Sequence, residues 1–567
     1  MKRRGFLSGL TVAGMARAAD DGPEKKSPTE ALDLQKKIED TMAGRRPPEP
    51  LAYPYFSPDY KLPFTHIGTE KQLVLDNFIL GSLQGVERVI GRPKKHPRAL
   101  IENTNLPWEK GGFIGGIVGM LFDPDDRKFK LWYNQSLSGD LYGSGMVLCY
   151  AESVDGLNWH KLITEKGMPF KEHRATNIVN NDETSAAALV LNHDRRDPSR
   201  KFLLVYEPIA EARKQGVRIL SRVAASPDGL KWTVIASDAK ERRRHGPAFW
   251  DEAIQQWVCY SQHSPHWHFG PRIRQVGRQT SPDFIHWSPK EVVLSTDWDP
   301  MLGPDREFHD ASVRKVGGTY IALVAEAHTD PLWSSRTKAV RGMYPDTVWR
   351  DQFHVSLALY CSRDGRRFER AHGPEPWVDN GPPGSPDHGF VASTGNDDLY
   401  HNGKMIISYG AGPLKQWSLP REDWDIVPKA AREKMERDMV EAKKLGDYGE
   451  GPGRRQRSSR ALVLREDGWA MLKPRTERGQ AITKQFVFAG KQLRVNADCQ
   501  FGSIRVELLN PRFEPYAGFS AEDCDVLHDE NPDRIWYTVS WKGQNDVSAL
   551  WNKPVMIRFE MFESALY

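Results

Sequence analysis

The sequence contains no CxxC pair, and its 567 residues include only five cysteines. An odd count without paired spacing excludes a cysteine-built zinc site and a disulfide framework. Cys149, Cys259 and Cys361 fall inside β-rich apolar runs and are expected as small buried residues. Cys499 and Cys524 lie in the C-terminal part and could pair after export. No apolar run is long enough to cross a membrane as a helix. Charge of one sign is also scarce, because the net charge is only +4. That excludes a dedicated nucleic-acid binder. The short basic runs at Glu241 ("ERRRH") and Gly453 ("GRRQR") read as solvated loops.

The first residues, "MKRRGFLSGLTVAGMARAAD", place Arg3-Arg4 and Phe6-Leu7 before a short apolar run, Leu7 to Met15. Small residues at Ala16, Ala18 and Ala19 then offer a cleavage site. The pattern over 1–19 resembles a twin-arginine export signal, with Lys2 where Ser or Thr is more usual. It implies a periplasmic or extracellular protein. Residues 20–60 are polar and read as a stem or linker.

Four copies of one turn punctuate the chain: "SVDGLNW" from Ser153, "SPDGLKW" from Ser226, "SPDFIHW" from Ser281 and "SRDGRRF" from Ser362. Each follows an apolar β-rich run, and its aromatic opens the next strand. Asp suits the turn because its carboxylate accepts backbone N–H groups two residues on, and Gly accepts φ > 0. Two further strand patterns stand upstream of each copy, for example "IVGMLFD" and "KFKLWYN" before the first. Each set makes a four-stranded antiparallel unit. A fifth unit is visible as "DDLYHNG", "KMIISYG" and "SRALVLREDGWAML".

Five such units predict an all-β fold, a five-bladed β-propeller over 65–477. The segment Lys71 to Leu80, "KQLVLDNFIL", is expected to complete the last blade and close the ring. A helical insertion is expected over 422–446. After about Arg478 the strands alternate like half-buried ones, which predicts a small C-terminal β-sandwich over 478–567.

With these turns and this sandwich the chain resembles the invertase/arabinanase-like glycoside hydrolases over residues 65 to 567. More narrowly it resembles exported bacterial proteins that share the "LVLDN" strand, Pro107-Trp108-Glu109 and the "DPDDRKFKLWY" hairpin. The resemblance implies a glycosidase, and such propellers can hold an axial calcium ion. The invertase motif W-M-N-D-P-N-G is absent. "RRDP" at Arg195 to Pro198 looks like the invertase Arg-Asp-Pro element but falls in a hairpin turn between strands.

In a propeller the innermost strand of each blade lines the central channel, so residues at its start converge on one mouth. This geometry selects Trp108 and Glu109, Asp182 and Glu183, and His245. It also selects Asp305, Arg306, Glu307, His309 and Asp310, and finally Asp387 and His388. Aspartates of the hairpins, such as Asp123, Asp125, Asp126 and Asp194, fall outside the set. Glycoside hydrolysis needs one protonated and one ionised carboxyl group flanking the bond. The expected roles are Asp182 as base or nucleophile, Glu307 as acid, and Asp387 or Asp310 as the carboxylate that tunes the acid. Trp108, Glu109, Glu183, His245, Arg306, His309 and His388 are expected to bind substrate. Among 18 tryptophans, Trp108 and Trp267 lie in loops and could stack on a sugar, whereas Trp159, Trp232 and Trp287 are expected between blades. His263, His266 and His268 form an H-x-x-H-x-H set whose spacing alone is weak evidence for metal.

The expectation is therefore an exported glycoside hydrolase acting on a poly- or oligosaccharide without a cofactor. Two other readings stay open. One is a non-catalytic carbohydrate-binding propeller; the other is a sialidase-like or lyase enzyme using the same cleft. No sequence feature sets an oligomeric state.

Overall fold

The computed structural model describes residues 65–567 apart from 111, 138–145, 218–219, 239–245, 264–273, 303–305, 330–352, 383, 394, 396–397, 414–457, 530 and 532–533. Side chains at 181–187, 329 and 353 are also outside the described set. The expected export signal, stem and helical insertion lie outside the described residues. What is described is almost entirely β, with one short α-helix at Ile209–Lys214 among the described residues.

Five antiparallel units follow one another. The first is Ile114–Asp123, Lys128–Ser136, Met146–Ser153 and His160–Lys161. The second is Ile178–Leu191, Phe202–Pro208, Ser221–Ser226 and Thr233–Asp238. The third is Ala248–Asp251, Gln256–His263, Gln275–Ser281 and Glu291–Leu294. The fourth is Arg306–Val316, Thr319–Thr329, Phe353–Ser362 and Glu369–Arg370. The fifth has an interrupted inner strand, Phe390–Ser393 and Leu399–His401, then Lys404–Gly412, Ser458–Arg465 and Lys94–Ile101.

The expected turns are built alike four times. In the first, the Ser153 hydroxyl accepts the N–H groups of Asp155 and Gly156, while Asp155 accepts those of Leu157 and Asn158. Asp228, Asp283 and Asp364 repeat the second half of this pattern. Gly156, Gly229 and Gly365 have positive φ, and Phe284 adopts φ 66° in the copy that lacks glycine. Each turn then reaches into its neighbour. Trp132 of the first unit donates its indole N–H to the Gly229 carbonyl, and Tyr260 of the third donates to Gly365. A Cβ on Gly229 would stand 2.4 Å from Trp132 Cζ2. Gly229→Ala should therefore cost about 2–4 kcal/mol, combining a left-handed backbone with overpacking. A urea titration checks it, and a loss within 0.5 kcal/mol would mean the turn does not set inter-unit packing.

Buried apolar clusters lie between successive units. Trp132, Leu148 and Phe202 join the first to the second; Leu203, Trp257 and Phe284 join the second to the third; Val258, Tyr260 and Tyr320 join the third to the fourth. The cluster of Leu323, Leu357, Ile407 and Leu462 joins the fourth to the fifth. Leu399, Ile406 and Ala461 then pack with Ile117, Met120 and Phe129, so the fifth unit meets the first. Trp159, Trp232 and Trp287 pack into these seams as expected.

Four expectations are corrected. The strand that completes the fifth unit is Lys94–Ile101, not Lys71–Leu80. An outermost strand faces water, so "KKHPRALI" carries Lys, His and Pro and shows little apolar alternation. Residues 71–79 instead form no strand; 74–79 are bends, and Leu73, Val74, Leu75 and Ile79 are buried with the C-terminal core. The C-terminal part also draws strands from before residue 478. Leu80–Gln84, Arg478–Thr483, Met556–Phe562 and Ser503–Leu509 make one sheet. Val86–Ile90, Ala470–Pro474, Ala565–Leu566, Arg494–Asp498 and Trp536–Thr538 make another. The five units are not separate sheets, because the start of the second pairs with Met146–Cys149 of the first, and Val355 pairs with Phe390. Finally, Cys499 and Cys524 do not pair. Each is free and buried, and Cys524 Sγ accepts the N–H of Val506.

Candidate active site

Antiparallel order puts the start of each inner strand, and each connection between second and third strands, at one end of the units. The short Asp turns lie at the other end. The connections at the first end are the longer ones: 137–145, 209–220, 264–274, 330–352 and 413–457. Hairpin residues Asp123, Asp125 and Arg195 sit among the short turns. Asp123 pairs with Lys130 and Lys201, and Arg195 pairs with Asp125. The "RRDP" stretch is thus a structural turn, with Asp197 capping the short 3₁₀ turn that follows.

Two inner strands are irregular where the expected carboxylates stand. In the second unit Thr184 pairs with Met146 and Asn180 with Leu148, so Asn181, Asp182 and Glu183 bulge opposite a single residue. In the fourth unit Phe308 pairs with Glu326 and Asp310 with Ala325, which leaves His309 as the extra residue. Bulges bend a strand and re-aim its side chains, and they recur beside active sites. Glu307 is buried at the second position of its strand, and Arg274, also buried, lies 3.9 Å from its Oε2. His309 and Asp310 are half-buried; the Gln262 amide donates to the His309 carbonyl. The His309 ring meets Phe390 edge-on at 5.7 Å.

A second layer lies across the fourth unit, where Arg306, His328 and His354 stand in register. Burial, together with Arg306, His354 and Arg370, pushes the His328 imidazole down to about 3, so it is neutral at physiological pH. Its Nε2 lies 2.5 Å from Ser356 Oγ. His388 packs against His354 at 5.6 Å, and its Nδ1 lies 3.1 Å from the Gly381 carbonyl.

Three expected site residues are closed off. Trp108 is buried, donates its indole N–H to Asn177 and meets Phe170 and His173 edge-on, so it offers no face to a sugar. Glu109 is buried too; it accepts the N–H groups of Thr104 and Leu106 and pairs with Lys161. A carboxylate so fully bonded anchors a turn. Asp387 is 4% exposed and pairs with Lys95 at 2.5 Å, with Ser385 and Tyr409 also donating to it. Lys95 reaches it from the outermost strand of the fifth unit and Tyr409 from the second. His245, Asp305, Trp267, His266 and His268 lie outside the described residues. No group of three metal-ligating side chains occurs among the described residues.

Sequence reading missed Arg274, His328, His354 and Lys95. The first three stand where long connections meet strands, a position no local pattern marks. It also missed Asp398, whose buried side chain pairs with Arg314 of the fourth unit at 3.0 Å. Burial pushes this carboxyl up to about 6, against the pull of Arg314. A raised carboxyl stabilises the fold fully below its unfolded value near 3.8, and that contribution is lost as pH rises through about 6. The change is of order 3 kcal/mol. Urea midpoints should fall between pH 4.5 and 7 in the wild type and fall less in Asp398→Asn. Equal slopes would exclude Asp398 as the source.

No family model matches the chain, and no curated protein does. Three solved structures show what it is similar to. A fructofuranosidase from Schwanniomyces occidentalis complexed with fructose is 10% identical, with 84% of this chain and 97% of that one covered at a TM-score of 0.33. A thermostable family-43 glycoside hydrolase is 13% identical, with 56% and 87% covered at 0.34. A family 117 glycoside hydrolase of the marine bacterium Zobellia galactanivorans is 9% identical, with 68% and 92% covered at 0.31.

Proposed function

We propose that the protein is an exported glycosidase built as a five-bladed β-propeller with a C-terminal β-sandwich, cleaving poly- or oligosaccharides at the mouth where the inner strands begin. The cyclic packing of five four-stranded units supports the blade count, and the two facing C-terminal sheets with one shared core support the sandwich. One observation carries the activity: inner strands from two different units bulge where the expected carboxylates stand, at Asp182-Glu183 in the second and at His309, between Glu307 and Asp310, in the fourth. Glycoside hydrolysis needs two carboxyl groups brought from separate supports to flank one bond. In this reading Asp182 is the base or nucleophile and Glu307 the acid. Asp310 takes the tuning role, while Glu183, Arg306, His309, His388 and His245 contact the sugar. The chemistry uses carboxylates and needs no cofactor. Residues 1–19 would direct the chain to the periplasm or beyond.

The test is release of reducing ends from a panel of poly- and oligosaccharides by purified protein, beside Asp182→Asn. The expected result is hydrolysis of at least one substrate, reduced tenfold or more in the variant. Full activity in Asp182→Asn would remove that residue from the site. Saturable binding with no cleavage of any substrate would replace the enzyme by a carbohydrate-binding propeller.

A further inference from the structure

The bulge at His309 is gripped from the third unit. A bulge takes its extra residue out of the ladder, so the backbone groups of that residue need partners from elsewhere. The Gln262 side-chain amide donates to the His309 carbonyl at 2.6 Å. Gln262 stands next to last in the second strand of the third unit, Gln256–His263. Arg274, just ahead of the third strand of that unit, lies 3.9 Å from Glu307 Oε2. The third unit therefore meets both the carboxylate before the bulge and the backbone of the bulge itself.

Gln262 is fixed in turn. Lys290 Nζ donates to the Gln262 carbonyl at 3.1 Å and to the Ser261 hydroxyl at 2.7 Å. Ser261 is buried and Lys290 half-buried, so these bonds form where water competes little. Lys290 precedes the outermost strand, Glu291–Leu294, and its stem crosses the third strand at Gly277, which lies opposite Ser261. The crossing needs a residue without a side chain. A Cβ on Gly277 would stand 2.4 Å from Lys290 Cγ and 2.5 Å from its Cδ. A line of contacts thus runs from the outer edge of the third unit to the inner strand of the fourth.

We infer that Gln262 and Lys290 are positioning residues of the proposed catalytic mouth. Lys290 fixes the end of the second strand, Gln262 fixes the bulge, and the bulge sets where Glu307 and Asp310 stand. The inference rests on the glycosidase reading.

The test compares full-length wild type with Gln262→Met, Lys290→Met and the double variant. Each is followed by kinetics on a substrate the wild type hydrolyses and by hydrogen exchange over residues 306–312. Methionine keeps most of the length of either side chain and donates nothing. Gln262→Met should lower kcat by about 10–10²-fold with KM within about twofold, the scale of a misplacement of about 1 Å. Exchange over 306–312 should quicken, while exchange elsewhere and the thermal midpoint stay near those of the wild type. Lys290→Met should show the same split more weakly, and Lys290→Arg should recover part of it. The double variant should be no worse than Gln262→Met, because the two residues act in one line. Unchanged kcat or unchanged exchange in Gln262→Met would overturn the inference and leave the glycosidase reading intact. Additive losses in the double variant would overturn it too. So would a rise in KM alone, which would make Gln262 a substrate contact, or quickened exchange throughout the chain, which would report a loosened fold. A wild type that cleaves no sugar would remove the glycosidase reading and the positioning role with it, even where exchange at the bulge still responded.

Discussion

Glu307→Gln should lower kcat on any hydrolysed substrate by about 10²–10⁴-fold, the usual scale for removing a positioned general acid. Glutamine keeps the shape of Glu307 beside Arg274 but cannot give a proton to a leaving oxygen. The thermal midpoint should move little, because glutamine keeps the volume and an acceptor oxygen beside Arg274. A substrate with an activated leaving group needs less protonation, so its loss should be smaller than that of a natural glycoside. This contrast separates a proton donor from a residue that merely shapes the mouth. An equal loss on both substrates would assign Glu307 another role, and unchanged activity would exclude it from the site.

The largest stability effect should come from Arg370→Met. Arg370 pairs with Glu326 and with Asp299 at 2.8 Å, while the Tyr360 hydroxyl donates to Asp299 at 2.6 Å and lies 3.2 Å from Glu326. The Arg370 and Glu326 side chains are 2% and 0% exposed, so this charge cluster is fully inside the protein. Removing the cation leaves two buried carboxylates uncompensated, which should cost about 3–5 kcal/mol. Burial raises the Glu326 carboxyl above its ordinary value. Asp299 is buried as well, yet hydrogen bonds from Tyr360 and Arg370 bring it below its ordinary value. In the wild type, Asp299 therefore contributes stability at neutral pH that is lost as pH falls through its folded value. Glu326 contributes stability in acid that is lost as pH rises through its folded value. Arg370 lowers both, so without it both shift upward. Urea unfolding should then show the variant's deficit largest at neutral pH and shrinking toward pH 4. The double variant Arg370→Met with Glu326→Leu should recover part of the loss. A deficit that is small, or independent of pH, would mean the cluster is solvated.

How far the site was legible follows from where each residue sits. Glu307, His309 and Asp310 were readable because a short polar run directly precedes an apolar strand. The rule that inner strands begin at one mouth then selected them. Trp108, Glu109 and Asp387 satisfied the same rule and are nonetheless closed off, because sequence order does not show what packs above a residue. Lys95 reaches Asp387 from nearly three hundred positions away along the chain, and Lys161 reaches Glu109 from a neighbouring strand. Arg274 meets Glu307 across two units, a contact no local periodicity encodes.

The sequence by itself determined the strand units and their turns. Those features arise from interactions within a few residues: a Ser hydroxyl and an Asp carboxylate bonding nearby N–H groups, and apolar alternation with period two. Tertiary structure alone decided which strand closes the fifth unit, how the C-terminal sheets recruit Leu80–Ile90, and which carboxylates are sealed by a cation. These outcomes depend on packing and charge pairing between segments far apart in the chain. Exposed edge strands carry too little apolar signal to announce their partners, and burial of a carboxylate is a property of everything folded around it.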